Sequence, residues 1–106
     1  TPGLEIPTRT LDDIVVELGL DRIDFLKMNI EGAERLALGG MTRTTALVRN
    51  ACVSCHDFVA DTTGDAAMRT RAIIEAYVDS QGLERLPARE DARPWVRDYV
   101  YARRRT

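Results

Sequence analysis

Asp24-Phe25-Leu26-Lys27-Met28-Asn29-Ile30-Glu31-Gly32-Ala33-Glu34 reads as a short apolar strand that enters a helix through a polar elbow. With Ile23 in front, Phe25, Leu26 and Met28 make a nearly continuous apolar run, the pattern of a strand covered on both faces in a parallel sheet. The helix after the elbow is expected from about Gly32 to Leu38, where Gly39-Gly40 breaks it. In open α/β sheets, ligands settle in the crevice outside the carboxyl ends of the strands, and Asn29 and Glu31 fall at that end. The elbow is therefore the first candidate site.

Working outward toward the N-terminus, Thr10 and Asp13 have the spacing of a helix N-cap box, and Leu11, Ile14, Val15 and Leu18 recur at helical period. This predicts a helix over Leu11 to Leu18. Gly19 stands where a left-handed stop is wanted, with Leu20 placed for the accompanying apolar contact. Toward the C-terminus, Thr42 to Asn50 suggests a short helical turn, and Ala51-Cys52-Val53-Ser54-Cys55 a buried strand with His56 and Asp57 at its carboxyl end. Val59 to Asp65, rich in Asp, Thr and Gly, reads as a loop. Ala67, Thr70, Ile73, Ile74, Tyr77 and Gln81 trace one helical stripe up to Gly82. Leu83 to Leu86 is a short strand closed by Pro87, and Trp95 to Ala102 alternates as an edge strand does. The order α-β-α-β-α-β-β predicts one α/β domain over 1–106, with a mostly parallel sheet and an antiparallel last strand.

The chain has 106 residues, 44% hydrophobic and 30% charged, which suits a globular domain with a real core but is small for an enzyme holding both cofactor and substrate. A net charge of -2 gives no electrostatic case for nucleic acid, and Arg103-Arg104-Arg105 reads as a solvated tail. No apolar run approaches the roughly 18 residues of a membrane span, and no basic-then-apolar leader is visible, so a cytoplasmic location is the expectation. Thr1-Pro2-Gly3-Leu4-Glu5-Ile6-Pro7 reads as mid-protein sequence.

Thr10-Leu11-Asp12-Asp13-Ile14, then Leu18-Gly19-Leu20-Asp21-Arg22-Ile23-Asp24-Phe25-Leu26-Lys27, then Glu31-Gly32-Ala33-Glu34 resemble the FkbM-type S-adenosylmethionine-dependent methyltransferases. The resemblance implies the C-terminal half of a class I (Rossmann-like) methyltransferase sheet, in strand order 4-5-7-6, with S-adenosylmethionine as cofactor. It implies methyl transfer to a hydroxyl oxygen of a small molecule or sugar. Asn29 stands where the family usually has an acid, and is carried over as cofactor-proximal only, since an amide keeps the carbonyl but loses the charge. Glu31 matches the family pattern as a cofactor-binding residue, and equally suits capping of the helix N-terminus. His56, the only histidine, is the candidate general base; the alternative is a histidine that merely finishes its strand by bonding nearby backbone. None of the seven glycines forms the glycine-rich turn that holds the methyl donor in this class, so the 106-residue chain alone is expected to be inactive and to bind the donor poorly.

Two other readings stand beside this one. Cys52-Val53-Ser54-Cys55-His56 spells the C-x-x-C-H pattern of c-type haem attachment, but sits where the alternation demands a buried strand rather than an exposed turn. Cys52 and Cys55 would then be buried thiols, and no metal site is assigned. Trp95, Tyr99 and Tyr101 would share one strand face. A non-catalytic interaction module is the alternative of a different class: the strand around Asp24 to Met28 would offer an open sheet edge to a second copy or to a complementing chain.

Overall fold

A computed structural model describes residues 3–88 and 90–105; Thr1 and Pro2 of the opening segment lie outside the described residues. The elements in chain order are α1 (Leu11–Leu18), β1 (Ile23–Met28), α2 (Glu34–Leu38), α3 (Thr42–Leu47), β2 (Val48–Ser54), α4 (Asp57–Thr63), a 3₁₀ turn (Ala66–Met68), α5 (Arg71–Ser80), β3 (Leu83–Arg85), α6 (Pro94–Arg97) and β4 (Tyr99–Arg104). Four strands form one sheet in the order β1-β2-β4-β3. The last strand in sequence thus lies between the second and the third, an order compatible with the methyltransferase-like sheet that the resemblance implies. Only β1 and β2 pair in parallel; β4 is antiparallel to both its neighbours, so the sheet is mixed in its pairings rather than mostly parallel.

Register shows which side chains share a face. Met28, Val53 and Val100 align across the sheet, as do Leu26, Ala51 and Ala102, and this face meets Leu38, Met41, Ile74 and Val78 in the core. The other face carries Lys27, Cys52 and Tyr101 in one row and Phe25, Asn50 and Arg103 in the next. Phe25 and Lys27 are exposed, so β1 is covered on one face, not on both as its apolar run suggested. The 19 Å thickness of the molecule is that of a sheet and one helical layer, at about 10 Å per layer. Being the outermost strand, β1 also leaves one backbone edge unpaired within the sheet.

Local chemistry explains the elements. Thr10 accepts the Asp13 amide at the start of α1, and Gly19 stops the helix at φ 63°, with the Leu20 amide bonded back to Val15. The expected loop over Val59 to Asp65 is instead helical in α4. There the hydroxyls of Thr62 and Thr63 bond the Phe58 and Val59 carbonyls one turn back, in a helix that ends at Gly64. The stripe expected from Ala67 is split, because Asp65 caps a separate 3₁₀ turn and α5 begins only at Arg71. Pro94 starts the short α6, which lifts Trp95 off the strand that Tyr99 and Tyr101 occupy. The basic run is solvated only in part, with Arg103 and Arg105 exposed and Arg104 turned inward. Arg104 ends β4 and donates to the carbonyls of Thr45, Val48 and Gln81, while Arg105 and Arg103 bond Glu84 and hold its carboxyl below the usual range.

Candidate functional site

Parallel pairing of β1 and β2, with Met28 opposite Val53, brings the two carboxyl ends side by side. Asn29 and Glu31 leave one strand and His56 leaves the other at the same edge of the sheet. Asn29 is exposed there. Glu31 is 82% exposed, with one carboxylate oxygen 4.0 Å from His56 Nε2. The structure thus brings Glu31 and His56 together.

The elbow is shaped by two consecutive left-handed residues, Glu31 at φ 58° and Gly32 at φ 92°. They delay the helix, which begins at Glu34 rather than at Gly32. At Gly32 the backbone angle disfavours any side chain, and a Cβ there would also have to displace the Met68 thioether. Glu31 does not cap α2, whose N-cap Ala33 has no side-chain bond; the amides of the elbow are met by Glu34 instead. This carboxylate is fully buried and accepts the Ile30 amide at 2.7 Å and the Gly32 amide at 3.1 Å.

Glu34 is the residue at this edge that sequence reasoning missed. Its Oε1 also lies 3.1 Å from His56 Nδ1, so a buried carboxylate ties the elbow of β1 to the imidazole beyond β2. The one local signal was a second glutamate three residues after Glu31, across a glycine. His56 itself is only 4% exposed. Its amide donates to the buried Thr70 hydroxyl at 3.2 Å, and its ring stacks at 6.0 Å on Phe58. Asp57, next in the chain, is occupied structurally: one oxygen accepts the Thr70 and Arg71 amides and caps α5. Asp61 pairs with Arg69.

The cysteine pair has the opposite character. Both thiols are buried, neither is in a disulfide, and Cys55 has no exposed surface at all. Burial pushes the Cys55 thiol up to about 12, which removes the thiolate that metal ligation or nucleophilic chemistry requires. With Cys52 inside β2 and the Cys55 amide bonded to the Asp98 carbonyl, the C-x-x-C-H stretch does not present two sulfurs to a porphyrin. Among the described residues, no group of three His, Cys, Asp or Glu is placed to hold a metal ion, and no helix is long and apolar enough to cross a membrane.

The other left-handed glycines are committed elsewhere. Gly19 and Gly64 end helices and Gly82 turns the chain into β3. What this edge offers is an oriented imidazole with a carboxylate on either side. That arrangement can take a proton from a hydroxyl placed against Nε2.

Comparison with known protein families matches residues 2–96 to the model described as the methyltransferase FkbM domain. No curated protein and no solved structure matches the chain.

Proposed function

Because the chain belongs to the FkbM methyltransferase family, we propose that it forms the acceptor-side, C-terminal half of an S-adenosylmethionine-dependent O-methyltransferase domain, with His56 as general base. The observation that carries this reading is the His56 ring fixed by buried Glu34 at the carboxyl edge of the sheet, with Nε2 turned toward Glu31. The sheet order supports the half-domain assignment, and so does the open outer edge of β1, where further strands would continue the sheet.

When bound, S-adenosylmethionine supplies an electrophilic methyl group whose carbon–sulfur bond breaks as the acceptor oxygen attacks. The residues here do the remaining work on the acceptor side. An alcohol or sugar hydroxyl lies against His56 Nε2, and its proton passes to that nitrogen as the oxygen–carbon bond forms. Asn29 and Glu31, at the end of β1, would be the residues here that contact the donor. Alignment accounts for most of the acceleration in such a displacement, so residues that hold the ring matter as much as the ring. Replacing His56 by Ala in a full-length parent should lower turnover by at least about tenfold. An unchanged rate would end the assignment. The 106-residue chain alone is expected not to bind the donor appreciably, and micromolar binding in calorimetry would place a donor cradle within these residues after all.

A second reading is favoured by one observation, the unpaired edge of β1 with Phe25 61% exposed beside it. Such an edge recruits another strand, from a second copy or from a complementing chain. A dimer in light scattering that dissociates when Phe25 becomes Lys supports this module; a well-behaved monomer counts against it.

A further inference from the structure

The proton on His56 is located by the hydrogen bonds around it. Glu34 Oε2 accepts the Ile30 amide, and Oε1 accepts the Gly32 amide and faces His56 Nδ1. Both oxygens already receive N–H donors, which is the arrangement of an ionised carboxylate, and an ionised carboxylate can only accept. The group opposite Oε1 must therefore be Nδ1–H. On the far side of the ring, 4.0 Å between Nε2 and Glu31 is too long for a hydrogen bond, so Glu31 does not fix a proton on Nε2 as Glu34 does on Nδ1. We propose that Glu34 is a positioning residue that locks His56 in the Nδ1–H tautomer and leaves the Nε2 lone pair on the side of Glu31.

The catalytic meaning of this lock rests on the reading of His56 as base, but the tautomer itself does not. A free histidine side chain prefers the opposite tautomer, so the structure demands a state the ring would not choose alone. The 3.1 Å contact joins residues 34 and 56 across the β1–β2 pair. The elbow geometry and the proton position are thus one device: the two amides that turn the chain also orient the carboxylate that orients the ring.

The sequence holds a single histidine, so labelling the full chain with ¹⁵N-histidine gives one imidazole and no assignment problem. At a pH well above the ordinary histidine pKa of about 6.5, long-range proton–nitrogen correlation should show Nδ1 protonated and Nε2 bare. An Nε2–H ring, or one protonated on both nitrogens there, overturns the proposal. Glu34→Ala adds a second arm. With no acceptor left opposite Nδ1, the ring should return to the Nε2–H tautomer that a free side chain prefers; a folded variant that keeps Nδ1–H overturns the proposal. Glu31→Gln should leave the pattern unchanged. If Glu34→Ala does not fold, the unsubstituted chain still decides by its own spectrum. An active His56→Ala parent would refute the base while leaving the tautomer intact, so the two failures are distinguishable.

Discussion

Asp12 and Glu34 are carboxylates performing the same service at two places in the molecule, and they differ in one donor. Asp12, in the first turn of α1, accepts the Arg43 amide, the Thr44 amide and the Thr44 hydroxyl, all from the start of α3. Glu34 accepts two amides of its own elbow and then a titratable ring. The first arrangement is closed, since every donor is structural and the result is a helix cap bridging two elements. In the second, one of three donors is an imidazole whose other nitrogen faces Glu31. The buried carboxylate differs by exchanging one structural donor for a ring that can carry a proton.

Truncation measures this difference most directly. Glu34→Ala strands the Ile30 and Gly32 amides together with the His56 Nδ1–H, and should cost about 2–3 kcal/mol in denaturant unfolding. Asp12→Ala removes a cap between α1 and α3 and should cost about 1 kcal/mol. Equal costs would mean that the ring contributes nothing to the Glu34 site and would erase the contrast.

Acid unfolding separates the two sites in another way. Burial pushes the Asp12 carboxyl up, but the Thr44 amide and hydroxyl and then Arg43 outweigh it, and the group is held below its ordinary 3.8. A depressed folded pKa contributes stability that is present above the unfolded value and is lost as pH falls through the folded one. The loss should therefore begin near pH 3.8 and deepen below it. Asp12→Asn should flatten that limb of the stability curve while leaving the His56 tautomer untouched. An acid limb identical in the variant would show that Asp12 is not its source.

Much of the fold was readable because its signals are local. Thr10, Gly19 and the apolar period between them define α1, and the strand run Ile23 to Met28 needs only its own residues. Those features that depend on distant partners were not readable. Nothing in Asp57 to Thr63 announces that Asp57 will cap α5, or that two threonines will bond back into a helix. Trp95 alternated correctly with Tyr99 and Tyr101, yet Pro94 opens a helical turn in the same window. The site divides along the same line. Glu31 and His56 follow from their places at strand ends, whereas Glu34 reads as an ordinary helix residue until its carboxylate is seen reaching back to the elbow and across to β2.

Glu31 supplies the smallest and most discriminating test. Its φ of 58° is the only positive value on a non-glycine among the described residues, and the side chain is exposed, so no packing demands a glutamate there. The left-handed backbone costs a side chain about 1 kcal/mol, part of which glycine returns through its looser unfolded state. Glu31→Gly should therefore stabilise the chain by about 0.5 kcal/mol, read as a small rise in melting temperature. The same change removes the carboxylate that faces Nε2 and should lower turnover of an active parent. Stability and rate moving in opposite directions would mean that the strain is kept for the chemistry. If both rise or the rate stays constant, Glu31 is a turn residue like any other, and the functional part of the elbow contracts to Glu34 and the ring it holds.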